Sequence, residues 1–153
     1  MIFLGADHRG FKVKEAVKEF LKEKGLKFKD LGNKILDPKD DFPDFAALVA
    51  EKVSQGKGLG IVSCGSGGMA LVANKFYNVR AVEAWNEETA RHAKEHDNAN
   101  ILMIAADFVD KKSVRKMVEV WLETPLAKGK KYRRRLEKIK LIERRNFYAK
   151  NSN

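Results

Sequence analysis

The 153-residue sequence contains a single cysteine, Cys64, which excludes an internal disulfide and fits a reducing compartment. No apolar run approaches the ~20 residues of a membrane span, so no transmembrane helix is expected. The opening Met1-Ile2-Phe3-Leu4-Gly5-Ala6-Asp7 lacks both the basic region and the length of a secretory leader. These absences predict a cytoplasmic protein that does not engage a membrane. Internal repeats, linkers and low-complexity segments are missing too, and the chain reads as one domain with a real core. The three histidines, His8, His92 and His96, lack metal-ligand spacing with Cys64, and no metal is expected. The one glycine-rich loop has neither the Gly-Lys-Ser/Thr ending of a Walker loop nor the spaced glycines of a dinucleotide fingerprint.

Positive charge is present in excess. The net charge is +10, and between Lys128 and Lys150 eleven basic residues face two acids, Glu137 and Glu143. Nine of the ten net charges therefore lie in the C-terminal stretch. Such a stretch reads either as a solvated basic helix or as a contact for phosphate or nucleic acid.

Strand and helix patterns alternate from the first residue. Ile2–Ala6 is a short apolar strand, and Val13, Ala16, Val17, Phe20 and Leu21 follow helical spacing up to Gly25. Lys27–Leu31 alternates like an edge strand, and a polar loop runs from Gly32 to Asp41. Asp44 is expected to cap a helix burying Phe45, Leu48, Val49 and Val53. Strands are then expected at Leu59–Ser63, Val79–Val82 and Ile101–Ala105, the last apolar throughout, as a strand covered on both faces should be. Helices are expected over Met69–Lys75, from Asn86 to about His96, around Val114–Leu122, and after Gly129, where Leu136, Ile139 and Ile142 form the apolar line. The tail after Phe147 is expected to fray. The alternation predicts an α/β fold: a three-layer, doubly wound, parallel five-stranded sheet of Rossmann or flavodoxin type with a C-terminal basic helix. Right-handed crossovers put every strand C-terminus, and hence the ligand site, on one edge.

Asp7-His8, Cys64-Gly65-Ser66 and the region after Val82 all fall on that edge. Cys64 is either a small core hydrophobe or a reactive thiol; beside a helix start its pKa is expected to fall toward neutrality. Gly65-Ser66-Gly67-Gly68 is either a tight turn or a cradle of backbone N–H groups for an anion. Asp7-His8 reads as a cap with a surface histidine, or as a pair that moves protons and grips phosphate. His96-Asp97-Asn98 reads as a helix C-cap with a dipole-favoured histidine. His92 is taken as a surface residue.

Taken together, these segments resemble the ribose-5-phosphate isomerase B family, which also contains galactose- and allose-6-phosphate isomerases. Gly5-Ala6-Asp7-His8-Arg9-Gly10-Phe11 resembles its G-S-D-H-A-G-F opening, and Asp41-Phe42-Pro43-Asp44-Phe45 its D-Y-P-D-Y segment. Gly60–Gly67 resembles G-I-L-I-C-G-T-G, Ala73-Asn74-Lys75 matches A-N-K, and His96–Asn100 resembles H-N-D-A-N. Lys131–Arg135 resembles R-H-x-x-R. The likeness covers residues 1–139, leaving 140–153 as a basic extension.

The resemblance implies cofactor-free aldose–ketose isomerisation of a phosphorylated sugar through a cis-enediolate, in a homodimer (or tetramer) with shared active sites. Cys64 would be the base and Ser66 would hold the reacting oxygens. Backbone N–H groups of Gly65, Gly67 and Gly68 would stabilise the enediolate. Asp7 and His96 would open the ring, and His8, Lys131 and Arg135 would bind phosphate, partly from the neighbouring subunit. Phe42 and Asp97 would stand at substrate contacts where the family has Tyr and Asn. The glycine loop is one residue shorter than the family's G-x-G-M. Ala105-Ala106-Asp107 stands where the family has G-A-R, exchanging a phosphate-binding arginine for an acid, and Lys131 stands for an arginine. Ribose 5-phosphate is the first expected substrate and another sugar phosphate the second. A non-catalytic binding role, with RNA as one partner, is the third; no recognised nucleic-acid motif supports it.

Overall fold

The computed structural model describes residues 1–148. Five strands, β1 (Ile2–Ala6), β2 (Phe28–Asp30), β3 (Leu59–Cys64), β4 (Ala81–Ala84) and β5 (Ile101–Ala105), form one sheet in the order β2-β1-β3-β5-β4, and every pairing is parallel. Helices α1 (Phe11–Glu23), α2 (Phe42–Ser54), α3 (Gly68–Ala73), α4 (Glu87–Glu95) and α5 (Lys111–Glu123) connect and cover it, and α6 (Lys130–Tyr148) closes the described chain. The predicted α/β class and three-layer arrangement hold.

Side-chain alternation explains the layers. Along each strand successive residues face opposite layers: Leu4, Ile61, Leu102 and Ile104 pack with α1, α4 and α5, while Phe3, Val62, Cys64 and Met103 pack with α2 and α3. The order departs from a flavodoxin-type 2-1-3-4-5 in its last pair. β5 is fully buried and takes the place beside β3, whereas β4, with Val82 and Glu83 only partly covered, takes the edge. The more apolar strand gains more from being covered on both faces.

Three boundaries differ from expectation for local reasons. β4 begins two residues later than Val79, because Arg80 donates its N–H to Asn100 Oδ1 (2.7 Å) rather than to a strand neighbour. The Asn74 side chain then clamps Ala81 with two 2.8 Å bonds. α2 begins at Phe42 after Asp41, because the fixed φ of Pro43 suits a first turn, and Asp44 lies inside that turn. Its buried face is Ala46, Val49, Ala50 and Val53, leaving Leu48 exposed. These residues are small because α2 sits almost on the sheet backbone: a Cβ on Gly60 would lie 2.7 Å from Val49 Cγ1. α3 ends at Ala73, with Asn74 as its cap.

α4 starts with the expected Asn86, which forms a reciprocal capping box with Thr89. α6 has no fully buried residue: Leu136 of the expected apolar line is partly covered, and Ile139 and Ile142 stay about half exposed. The helix is tied down by Glu143, which accepts from Asn78 N–H (2.5 Å), and by Phe147 and Tyr148 against Tyr77. It runs without interruption through residues 139 and 140. The expected fraying after Phe147 falls mostly on residues outside those described. No described helix is long and apolar enough to cross a membrane.

Candidate active site

Three turns meet at the C-terminal edge of the sheet: Asp7–Gly10 after β1, Gly65–Gly67 after β3, and Ala106–Phe108 after β5. Cys64 ends β3 and is 4% exposed. Its Sγ approaches the Ser66 carbonyl at 2.8 Å. Burial pushes the thiol pKa up, and the nearby Asp7 carboxylate adds to this; the N–H groups of Met69, Ser66 and Gly68 pull it down but do not win. The expected fall toward neutrality is therefore corrected. The donors are in place, but they serve a thiol removed from water beside an acid. An arriving substrate that ends that imbalance would find the thiolate's hydrogen bonds ready-made.

None of Gly65, Gly67 and Gly68 has a positive φ, so the loop glycines give room for close approach rather than an unusual backbone conformation. An added Cβ at Gly65 would lie 2.7 Å from Arg9 Nε and 3.0 Å from Asp107 Oδ2. At Gly67 it would lie 2.9 Å from Glu83 Oε2, and at Gly68 3.0 Å from the Phe42 ring. Phe42 thus walls the loop. Ser66 is exposed at the loop tip, and Gly67 is the N-cap of α3.

Asp7 is buried and accepts a hydrogen bond from Gly10 N–H (2.9 Å), which holds the first turn closed. His8 is fixed by a residue that the sequence reading missed. Asp40 Oδ1 accepts from the His8 backbone N–H at 3.0 Å and lies 2.7 Å from His8 Nδ1. Asp40 also accepts from Asn33 Nδ2 (2.5 Å), and Lys14, held by Asp30 at 2.8 Å, donates to the Asn33 carbonyl. A carboxylate accepting from Nδ1 holds a proton there and leaves Nε2 as the ring nitrogen without a partner on Asp40. Asp40 sits in a loop with several acids and no periodicity, so nothing local marked it.

The remaining expected site residues are not brought to this edge. Each crossover helix starts where its strand ends and returns to the opposite edge. His96 closes α4 there, next to Asn98, whose carbonyl accepts from Arg80 Nε (3.0 Å), and Asn100, whose carbonyl accepts from Gly60 N–H at the start of β3 (2.9 Å). Six residues of β3, roughly 20 Å at 3.3 Å each, separate that end from Cys64. Asn98 adopts a left-handed φ of 47°, in keeping with a helix C-cap. Asp97 is exposed at the same end. Lys131 and Arg135 lie there as well, because Ala127 N–H donates to the Glu95 carbonyl (2.8 Å) and leads α6 past the end of α4. His96 stacks on Tyr132 at 5.0 Å, and Lys131 Nζ lies 4.9 Å from that ring centre. Within one chain the basic helix therefore does not face the glycine loop.

Among the described residues, two groups offer three metal-ligand atoms within 4.8 Å: His92–Glu95–His96 and Asp7–His8–Asp40. Their carboxylates already have donors: Arg91 serves Glu95, and Gly10, His8 and Asn33 serve Asp7 and Asp40.

Residues 2–139 match the model of the Ribose/Galactose Isomerase family. A probable ribose-5-phosphate isomerase B of Mycoplasma genitalium is 41% identical over 141 residues, covering 90% of this chain and 92% of that one. The crystal structure of ribose-5-phosphate isomerase B from Mycoplasma genitalium with bound ribulose-5-phosphate superposes with a TM-score of 0.89 at 40% identity, over 94% of this chain and 95% of that chain. The Clostridium thermocellum ribose-5-phosphate isomerase B structure also gives 0.89, at 35% identity over 95% and 98% of the two chains.

Proposed function

The chain belongs to the ribose/galactose isomerase family, and we propose that it interconverts ribose 5-phosphate and ribulose 5-phosphate. The observation that carries the reading is the placement of Cys64. The thiol lies at the ligand edge, with the N–H groups of Ser66, Gly68 and Met69 turned toward it and Asp7 nearby. As a thiolate, Cys64 removes the proton from C2 of the open-chain aldose. The electron pair left on carbon forms the C1–C2 double bond, and the carbonyl electrons move onto the C1 oxygen. Proton transfer between the two oxygens and return of the Cys64 proton to C1 give the ketose. Loop N–H groups aimed at the developing oxyanion are worth several kcal/mol in such sites, about 3 for one donor. Ser66 holds the reacting oxygens, and His8, when protonated, donates Nε2–H to the phosphate while its Nδ1–H stays on Asp40.

Ring opening needs an acid opposite Asp7, and His96 stands at the far edge of the same chain. A second copy resolves this: a homodimer in which each site takes Asp7, His8 and Cys64 from one chain and His96, Lys131 and Arg135 from the other. The half-exposed Ile139 and Ile142 give α6 an apolar face for such a contact. Residues 1–139 make up the isomerase unit and 140–153 its basic extension.

The first test is isomerisation across ribose 5-phosphate, a tetrose phosphate, and allose and galactose 6-phosphates. Ribose 5-phosphate should be favoured in kcat/KM; a clear preference for another sugar overturns the substrate assignment and leaves the reaction class. A second test mixes Cys64→Ala with His96→Ala after joint refolding. If sites are shared, half the dimers are mixed and each has one intact site, so activity should return to about a quarter of the wild type. Two inactive variants that stay inactive when mixed would place both residues in one chain's site.

A further inference from the structure

At the ligand edge Arg9, in the turn after β1, forms an ion pair with Asp107, in the turn after β5. The two residues are 98 positions apart in sequence, and both press on Gly65, where an added Cβ would lie 2.7 Å from Arg9 Nε and 3.0 Å from Asp107 Oδ2. Stability does not account for the pair. The side chains are 57% and 39% exposed, and an exposed ion pair contributes about 0–1 kcal/mol. The electrostatics of the edge points elsewhere. Asp7, Glu83 and Asp107 all lie close to the loop, and an anionic substrate needs a cation to offset them. Lys131 and Arg135 lie at the opposite edge of this chain, while the Arg9 guanidinium rests on the loop itself.

The two positions have also exchanged character relative to the motifs the chain resembles. Position 9 corresponds to alanine in G-S-D-H-A-G-F, and position 107 to arginine in G-A-R. A guanidinium has been lost from one turn and gained on the other, and the two turns meet. The bond to Asp107 engages Nη2, one part of a fork with five N–H donors. The rest of the fork suits a phosphate, to which arginine binds bidentately.

We propose that Arg9, held against Gly65 by Asp107, binds the phosphate of the sugar and sets the preference for phosphorylated substrates. Asp107 is its positioning residue. This rests on the sugar-phosphate reading above, with the phosphate seated over the turns that carry His8 and Arg9. The acid at position 107 then does not repel the substrate outright, because its charge is already engaged by the arginine it orients.

The experiment measures both turnover and binding of inorganic phosphate by calorimetry, in the wild type, Arg9→Ala, Asp107→Ala and the double variant Arg9→Ala/Asp107→Arg. Arg9→Ala should raise KM for ribose 5-phosphate at least tenfold, with the loss falling mainly on KM, and should weaken phosphate binding in parallel. Asp107→Ala should raise KM by less, because the guanidinium is then still present but no longer held against the loop. The double variant should regain most of the lost affinity by returning a guanidinium to the same place. A KM and phosphate Kd within twofold of wild type in Arg9→Ala would overturn the proposal. A lower KM in Asp107→Ala would overturn the positioning role. If the wild type turns over no ribose 5-phosphate yet binds phosphate in an Arg9-dependent way, the reaction reading fails and the anion site stands.

Discussion

Replacing Cys64 with alanine is expected to lower kcat for ribose 5-phosphate isomerisation by about three orders of magnitude, within the range contributed by a general base. The effect should be chemical rather than structural. Cys64 is 4% exposed at the end of β3, and alanine removes one sulfur without disturbing the pairing of β3 with β5. The melting temperature should therefore move by only a few degrees, which separates loss of the base from loss of the fold. The pH profile gives an independent check. Burial raises the thiol pKa, so the free chain holds little thiolate near neutrality. Since only the thiolate accepts the proton, kcat/KM should climb up to tenfold per pH unit on the alkaline side until the thiol has titrated. Any residual activity of Cys64→Ala should lack that climb. A wild-type profile that is flat or falls between about pH 7 and 9, or a variant that keeps its turnover, would remove Cys64 from the base role.

The second large effect is expected at Gly10, where alanine should destabilise the protein by about 3 kcal/mol. The Gly10 φ of −83° suits any L residue, so the cost is steric. A Cβ there would lie 1.9 Å from the Ser63 carbonyl oxygen and 2.3 Å from its carbon, both backbone atoms that no side-chain rotation can move. The same carbonyl accepts from Asp7 N–H at 3.3 Å, and Gly10 N–H is held by Asp7 Oδ1. Relieving the clash must therefore separate the Asp7–Gly10 turn from the end of β3, carrying His8 and Arg9 away from Cys64. At a fixed protomer concentration the melting temperature should fall by about 6–12 °C. Activity at a temperature where the variant is still folded should fall as well. An unchanged melting temperature would mean that the two turns are not in this contact.

Much of the molecule is legible in its residues taken in order. The apolar runs Ile2–Ala6 and Ile101–Ala105, the helical spacing around Val13–Leu21, the capping Asn86 and the glycine loop after Cys64 each carry their own signal. Burial imposes a period of two on strands and 3.6 on helices, and special turns demand particular residues within a few positions of one another. The fold class, the ligand edge, and Asp7, His8, Cys64 and Ser66 as residues of that edge follow from such signals.

What needed the tertiary structure is what joins distant positions. β5 rather than β4 lies beside β3 because the more apolar strand gains more from cover on both faces, a competition invisible in either strand alone. Asp40 holds His8 across 32 residues, and Asp107 meets Arg9 across 98; no periodicity links such pairs. The thiol pKa turned on burial, so a helix start that favours the thiolate was outweighed by desolvation. The opposite placements of Cys64 and His96 arise because each crossover helix runs back against its strand, which separates the two residues by the length of the sheet within one chain.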